Sequence, residues 1–410
     1  MPERVDATLE NAYAGCIAFN DGDGLFAGAY IATGRLDGFV SIWDIETRSL
    51  LRWFGGHVKS VTSVAWSRFG RYLASASLDW NINIWDLANG PGRRARTLRF
   101  DCALTSVSFS PRTSRTLLVV TLMHDACLVH FPITGSSEPQ RVPLAEEGIS
   151  AGCFTRDGRH VVAGTTRGAL VVFDTDGAVV GEPTAVGSAA IRQLAFDRTG
   201  RHLIVSMNDR TIRTFGVDGA VPTFVPQHKF QDLVGRTPWS GVSFSADSEY
   251  VMGGSVHSTT HKMYIWDQES GVLVKILEGP REPLAVAQWH PTRPMIASVC
   301  ISGDVYLWKT QTTEVWSAYA PGFEELEENV EYEEREDEFD FADDDARRAG
   351  DASEAPVDIF SAGPDARACV PQPRAVRTLS TLSPGAERLD DDDVDAAFII
   401  PPLLDDAIDP

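Results

Sequence analysis

Short apolar segments that end in an aromatic residue recur along most of the chain at intervals of 42 to 51 residues. The aromatic residues of this first series are Trp43, Trp85, Phe131, Phe173, Phe215, Trp266 and Trp308. A second series, out of phase with the first, consists of Phe19, Trp66, Phe109, Phe154, Phe196, Phe244 and Trp289. Seven copies of alternating strands and turns at this period predict an all-β fold, a seven-bladed β-propeller.

One repeat carries more sequence motifs than the others. Residues 56–86 contain GH, LASASLD and IWD in that order, and the combination resembles a full WD repeat, the four-stranded blade unit. The resemblance implies a structural tetrad in which His57, Ser75 (or Ser77), Asp79 and Trp85 are hydrogen-bonded within the blade. A buried imidazole and a buried carboxylate both require such partners. The other copies lack the GH or the WD, and the third, which ends in HFPI, is assigned on spacing alone.

The sequence offers no catalytic or metal site. The tetrad contains the residue types of a Ser-His-Asp triad, but a structural network within one blade explains them better. His257 and His261 stand four residues apart in a Ser/Thr-rich loop, where we expect no helix and find no third zinc ligand. The stretch DGDGLFAG at residues 21–28 lacks the GK[ST] of a phosphate-binding loop. We therefore expect no enzyme activity, no metal and no cofactor.

Charge divides the chain into two parts. The net charge is -22, and residues 324–410 account for most of it, with 27 acidic residues against 7 arginines. The preceding residues carry 31 acidic and 29 basic side chains. A nearly neutral body argues against a broad cationic surface for nucleic acid.

Cysteine usage and the N-terminal sequence predict an intracellular protein. The six cysteines include no CxxC-type pair, and five lie in apolar segments, as expected of core residues in a reducing compartment. The opening MPERVDATLENAY has no apolar region typical of a secretory signal, and no apolar run is long enough to span a membrane.

A basic loop, GPGRRART at residues 90–97, stands out from the neutral body. Its arginines are Arg93, Arg94 and Arg96, and Arg281 lies in another inter-strand loop from which it could join them in one patch. Two interpretations stay open: a solvated loop, and a contact with an acidic partner or with phosphate, as on a nucleosome.

The acidic stretch ENVEYEEREDEFDFADDD at residues 328–345 contains three aromatic residues, Tyr332, Phe339 and Phe341. A solubilising acidic tail gains nothing from exposed aromatic rings. A segment that folds on binding uses such rings as buried anchors and its carboxylates to meet Arg and Lys of the partner. The composition therefore favours partner docking.

Several longer motifs point to one family. KFQDLVGRTPW (229–239), WDQESGVLVKILEG (266–279), WHPTRPMIAS (289–298) and VWSAYAPGFEELEENVEYEEREDEFD (315–340) closely resemble the Swd/retinoblastoma-binding-protein-five subunits of COMPASS-type (Set/MLL) methyltransferase complexes. The likeness is loose over the propeller, strong over residues 229–341 and patchy in the later tail. It implies a nuclear, non-catalytic scaffold in a hetero-oligomeric complex with no membrane association.

The resemblance also implies partners for the tail. A SET-domain methyltransferase, which methylates lysine four of histone three, would be contacted by Asn329, Val330, Glu331, Tyr332, Glu333, Glu334, Arg335 and Glu336. An Ash-type SPRY-domain subunit would be contacted by Glu338, Phe339, Asp340, Phe341, Asp343 and Asp344. A second WD-repeat adaptor subunit would bind Val357, Asp358 and Ile359. The sequence departs from the family after Phe341, which affects the edge of the SPRY-binding motif.

These observations predict three regions: a propeller at 1–323, an acidic and aromatic docking segment at 324–345, and a disordered tail with short docking motifs at 346–410. The apolar island at 396–404 could dock a partner, add an edge strand or pack on the propeller. The alternative function is a WD-repeat adaptor of another nuclear complex, in RNA processing or ubiquitin ligation, that binds peptides through the propeller channel.

Overall fold

The computed structural model describes residues 1–310 except 23–26, 89–93, 133–137, 147, 220, 233–236 and 258–259. Within these residues the regular structure consists of 28 strands in seven four-stranded antiparallel sheets, the blades of a propeller. This part of the chain contains no helix long and apolar enough to cross a membrane. The predicted seven-bladed β-propeller is confirmed, including the third blade, which had been assigned on spacing alone.

The strands follow one another through the blades in chain order, and only the first strand belongs to the last blade. β1 (Arg4–Leu9) opens the chain. Blades 1 to 3 contain β2 (Ala14–Phe19), β3 (Tyr30–Arg35), β4 (Phe39–Asp44), β5 (Leu50–Gly55); β6 (Val61–Trp66), β7 (Tyr72–Ser77), β8 (Asn81–Asp86), β9 (Arg94–Arg99); and β10 (Leu104–Phe109), β11 (Thr116–Thr121), β12 (Ala126–His130), β13 (Gln140–Pro143). Blades 4 to 6 contain β14 (Ile149–Phe154), β15 (His160–Thr165), β16 (Ala169–Asp174), β17 (Thr184–Ala185); β18 (Ile191–Phe196), β19 (His202–Met207), β20 (Thr211–Asp218), β21 (Thr223–Gln231); and β22 (Trp239–Phe244), β23 (Tyr250–Val256), β24 (His261–Asp267), β25 (Leu273–Glu278). Blade 7 contains β26 (Leu284–Trp289), β27 (Met295–Cys300), β28 (Val305–Lys309) and β1.

Burial decreases from the second strand of a blade to its outermost strand. All six residues of β7 and of β11 are buried, because neighbouring blades cover both faces of these strands. The outer strands β9 and β25 each bury a single residue, Leu98 and Leu277. Such a gradient is expected where sheets stack around an axis and only their inner strands are covered on both sides.

The ring is closed by the N-terminal strand. β1 pairs antiparallel with β28, with Arg4 opposite Lys309 and Leu9 opposite Val305. The backbone N–H of Glu3 extends this ladder to the carbonyl of Lys309 at 3.0 Å. The N-terminal segment therefore supplies the outermost strand of blade 7.

The antiparallel order places the loops on two opposite faces. The loops between the second and third strands of each blade lie at the same end as the loops from one blade to the next. We call this end the linker face. The loops between the first and second strands and between the third and fourth strands lie at the other end, which we call the turn face.

Candidate functional site

The tetrad residues of blade 2 meet in one buried hydrogen-bond network. His57 from the loop before β6 places Nδ1 3.0 Å from Asp79 Oδ2 and Nε2 2.8 Å from Ser75 Oγ. Trp85 on β8 donates its indole N–H to the same Ser75 oxygen at 3.0 Å. Ser77, the alternative to Ser75, instead donates to the backbone carbonyls of residues 59 and 60.

Electrostatics fix the protonation of this network. Burial lowers the pKa of His57, and the Asp79 carboxylate opposes that shift only in part. Burial works to raise the pKa of Asp79, but N–H donors from Val58 and Asn81, together with the imidazole, hold it below its usual value. The histidine is therefore neutral beside an ionised carboxylate, with its proton on Nδ1 facing Asp79.

The network extends further than the sequence motif indicated. Asn83 on β8 places its amide nitrogen 3.2 Å from His57 Nε2, and Thr97 on the outer strand donates to Asn83 Oδ1 at 2.8 Å. Side chains thereby cross-link strands β7, β8 and β9 and the loop before β6. Ser75 is fully buried, at 0% exposure, so no substrate can reach its hydroxyl and the triad geometry serves structure.

Blade 7 contains a second network that the sequence did not reveal. His261 on β24 of the neighbouring blade places Nε2 2.8 Å from Ser298 Oγ, which also accepts the indole N–H of Trp308 at 2.8 Å. Ser298 and Trp308 stand ten residues apart, as do Ser75 and Trp85. Position 280, where the matching histidine would be, is proline, so the imidazole reaches the serine from the adjacent blade.

His261 differs from His57 in having no carboxylate. Its Nδ1 is buried and has no hydrogen-bond partner among the described residues. Burial lowers its pKa to about 4, with Glu282 opposing the shift only in part. His261 therefore supports the blade as a neutral group. No three His, Cys, Asp or Glu side chains in the described part of the chain are placed to hold a metal ion.

A further buried histidine ties two distant turns together. His290 donates from Nε2 to the carbonyl of Gly28 at 2.8 Å, while its Nδ1 accepts the backbone N–H groups of Thr292 and Arg293. Gly28 has a φ of 81°, and a Cβ there would lie 2.3 Å from the imidazole. Gly28, shortly before β3, thus packs blade 1 against blade 7 at the turn face.

The central channel opens on the turn face into a cavity of about 450 Å³. Its polar lining groups are engaged in structural contacts: Gln193 exchanges hydrogen bonds with the backbone of Val242, and Arg198 donates to the carbonyl of Pro291 at 2.7 Å. Asp197 accepts from Thr199 and from the N–H of His202. Gln193 thus links blade 5 to blade 6, Arg198 links blade 5 to blade 7, and Asp197 bonds within blade 5. These bonds give the groups structural roles rather than the arrangement of a reactive site.

The structure does not bring the predicted arginines together. Arg94 and Arg96 lie on the outer strand of blade 2, where Arg96 donates to the carbonyl of Pro132 at 2.7 Å. Arg281 lies on the linker face between blades 6 and 7, at the opposite end of the propeller from Arg94. Arg281 therefore lies apart from Arg94 and Arg96, and contact of these residues with an acidic partner or with phosphate stays a prediction. Arg93 lies outside the described residues.

The tail sites also lie outside the described residues. This holds for the SET-domain contact at 329–336, for the SPRY contact from Glu338 to Asp344 and for the adaptor motif at Val357, Asp358 and Ile359. They remain predictions from the sequence.

Comparison with known proteins agrees with the geometry. The family model described as WD domain, G-beta repeat, matches residues 48–86, which include the blade 2 network. The Retinoblastoma-binding protein 5 homolog of Drosophila melanogaster is 37% identical over 358 residues, covering 84% of this chain and 70% of the relative. Set1 complex component swd1 of Schizosaccharomyces pombe is 34% identical over 357 residues, covering 83% and 87%.

A solved structure shows the same likeness in three dimensions. The crystal structure of the β-propeller domain of Cps50 (Swd1) from Myceliophteria thermophila matches with a TM-score of 0.69 and 33% identity, covering 74% of this chain and 99% of that chain. Relatives above 30% identity are thus matched over more than two thirds of their length. The chain belongs to the Swd/retinoblastoma-binding-protein-five family of WD-repeat propeller proteins.

Proposed function

We propose that the protein is a non-catalytic scaffold subunit of a COMPASS-type complex that methylates lysine four of histone three in the nucleus. The observation that carries the proposal is the extent of the likeness. A relative named as a Set1 complex component matches 83% of this chain, which is longer than the propeller strands from Arg4 to Lys309. The likeness therefore continues into the acidic tail, where the docking motifs lie.

The propeller supports such a role by its lack of accessible reactive groups. The serine of its triad-like network is fully buried, and channel-lining side chains such as Gln193 and Arg198 bond to other blades. A rigid ring of this kind fixes the point from which the tail begins. The tail would then contact the SET-domain enzyme at 329–336, the SPRY-domain subunit at 338–344 and the second WD-repeat adaptor at 357–359.

The test uses the full chain in a reconstituted methyltransferase complex. Replacing Tyr332, Phe339 and Phe341 by alanine removes the three proposed anchors and leaves the acidic charge intact. Burying an aromatic anchor typically contributes at least 2 kcal/mol at an interface, so we expect methylation to fall by at least tenfold. The matched control replaces Val370, Val376 and Leu379, three apolar residues of the later tail outside the proposed motifs, and should stay within twofold. Unchanged methylation in the first variant would contradict the proposed role of the tail.

The alternative function predicts that partner binding depends on the propeller and not on the tail. A peptide-binding adaptor would capture its main partner through the propeller, and the tail would be dispensable. Affinity purification with and without residues 324–410 distinguishes the two. The scaffold function is supported if the full chain retains the methyltransferase subunits and the shortened chain loses them. The adaptor function is supported if both chains retain the same partners.

A further inference from the structure

We propose that the linker face of blades 7, 1, 2 and 3 binds a basic peptide segment that carries apolar anchor residues. This part of the face consists of eight loops, all within the described residues: 10–13, 36–38, 56–60, 78–80, 100–103, 122–125, 279–283 and 301–304. The inference does not rest on the proposed function, because it concerns the surface of the chain alone.

The first observation is a concentration of exposed apolar side chains. Val58 is 89% exposed and Met123 is 70% exposed, although both are large apolar residues. The full set on these loops is Tyr13, Leu36, Val58, Trp80, Leu122, Met123 and Ile301. Scattered exposed apolar residues are ordinary, but a group on one face of four adjacent blades is typical of an interaction surface.

Hydrogen bonds show that these loops form one continuous surface. The N–H of Ala14, the residue after Tyr13, donates to the carbonyl of Gly303. The N–H of Leu36 donates to the carbonyl of Tyr13 at 3.2 Å. Further along, the N–H of Val58 donates to Asp79 at 3.1 Å. The surface then continues through bonds from Phe100 to Trp80 and from Leu122 to Ala103. The exposed residues are thus carried by a connected belt of loops.

Backbone strain is the second, independent observation. Trp80 has a φ of 72° and Tyr13 a φ of 45°, a region that bulky side chains rarely adopt. The matching loops of blades 1, 4 and 7 have glycine at this position, and those of blades 3 and 5 have His124 and Arg210, all with positive φ. Trp80 places a large aromatic side chain, 44% exposed, in this conformation, and backbone strain of this kind concentrates at functional sites.

Charge identifies the occupant. The eight loops contain six acidic residues besides Asp79, which the blade 2 network engages: Glu10, Asp37, Asp101, Asp125, Glu282 and Asp304. Only two basic residues, Lys59 and Arg281, oppose them. Arg35 and Arg99 at the adjoining strand ends reduce the excess without reversing it, and Arg35 is already paired with Asp37 at 2.6 Å. Apolar groups surrounded by carboxylates suit a partner with Arg or Lys beside its apolar anchors.

The same charge excludes the chain's own tail as the occupant. Residues 324–410 carry 27 acidic side chains against 7 arginines and would be repelled by this face. The other blades offer no equivalent surface: none of the exposed large apolar residues lies in the described linker-face loops of blades 4 to 6. The site is therefore confined to one side of the ring.

The experiment pans a random 12-residue peptide library displayed on phage against the full chain. The test variant is Val58→Asp combined with Trp80→Gly, which removes two anchors, and the glycine fits the backbone at φ 72°. Its control is Val274→Asp, at an exposed apolar position on the outer strand of blade 6. We expect enriched peptides with net positive charge and large apolar residues. Their affinity should fall at least tenfold in the test variant and stay within twofold in the control.

A charge reversal gives a second arm of the test. Asp101→Lys combined with Asp125→Lys should weaken the same peptides at least fivefold, whereas Asp176→Lys on the turn face should leave them unchanged. The inference is overturned if no peptides are enriched, if the enriched peptides are acidic like the tail, or if they bind the Val58→Asp/Trp80→Gly variant as well as the wild type. If the wild-type chain dimerises and the Val58→Asp/Trp80→Gly variant does not, the occupant is a second copy of the chain, and the inference is overturned as well.

Discussion

Blades 2 and 7 each join a histidine, a serine and a tryptophan in their interior, and they differ in where the histidine originates and in what faces its second nitrogen. In blade 2 His57 belongs to the same repeat and bonds Asp79, whereas in blade 7 His261 comes from the preceding blade and its Nδ1 has no partner among the described residues. The serine–tryptophan pair is thus the common part, and the imidazole can be supplied from either side. The carboxylate is what distinguishes a self-contained blade from one that depends on its neighbour.

Removing the carboxylate of blade 2 should have the largest effect. Asp79→Ala leaves the Nδ1 proton of His57 and the N–H groups of Val58 and Asn81 without their acceptor. We expect the free energy of unfolding to fall by about 3 to 4 kcal/mol, since each unsatisfied buried donor costs about 1 to 3 kcal/mol. Urea denaturation of the full chain measures this. The exposed Asp176→Ala serves as control and should change little, and a similarly small effect at Asp79 would show that the network does not stabilise blade 2.

Removing the shared serine should affect the two blades about equally. Ser298→Ala leaves the indole N–H of Trp308 and Nε2 of His261 without this partner. Ser75→Ala likewise leaves the indole N–H of Trp85 without its acceptor, and it leaves Nε2 of His57 with Asn83 alone. We expect each change to lower the free energy of unfolding by about 2 to 3 kcal/mol. If Ser298→Ala were neutral while Ser75→Ala was not, the similarity between the two networks would be only geometric.

The missing carboxylate should make blade 7 sensitive to pH. The pKa of His261 is about 4 in the folded chain, whereas an unfolded histidine titrates near 6.5, so the unfolded chain binds more protons between these values. The stability that neutral His261 supports is complete above pH 6.5 and is lost as the pH falls toward 4.

We therefore expect the wild-type chain to lose about 2 kcal/mol more than His261→Leu when the pH is lowered from 7.5 to 5.0. Urea titrations at the two pH values measure the difference. His124→Asn, at an exposed loop histidine, should behave like the wild type. Parallel pH curves for the wild type and His261→Leu would rule out His261 as the sensitive group.

The smallest effect concerns the glycines behind the two networks. Gly56 and Gly279 each follow the outer strand of a blade, and an added Cβ would lie 2.9 Å from the Trp85 ring and 3.0 Å from the His261 ring. Alanine at either position should cost about 1 kcal/mol by overpacking. Gly216→Ala, which would meet only the flexible end of Gln227, is the matched control. Equal thermal midpoints for all three variants would contradict the expectation.

The number of blades could be predicted because each blade repeats the same pattern of apolar strands that end in aromatic residues. Aromatic residues such as Trp43 and Phe173 fall within the third strands, and Phe109 and Trp289 end the innermost strands, as their spacing indicated. The blade 2 network was visible for a similar reason, since its four members lie within 29 residues of one another in a single repeat. Residues that are close together in one repeat of the sequence are thus also close together in one blade.

Contacts between repeats were not predictable in this way. His261 was weighed only against its near neighbour His257, and nothing in the sequence relates it to Ser298, 37 residues away in the next blade. The linker-face surface depends on loops such as those of Tyr13 and Met123, which only the ring brings to one side. The separation of Arg281 from Arg94 was unpredictable for the same reason, since it follows from their places in different blades and at opposite ends of the propeller.

Closure of the ring by β1 has a consequence for how the chain is made. β1 leaves the ribosome before the other strands of the propeller, but its partner β28 follows roughly 300 residues later, so blade 7 cannot form until almost the whole propeller has been synthesised. Until then the N-terminal strand presents unpaired N–H and C=O groups, which are prone to wrong pairing. A chain cut short before Lys309 leaves that strand without its partner and remains open to chaperones and proteases. The edge of β1 is therefore covered only in chains that have been synthesised as far as β28.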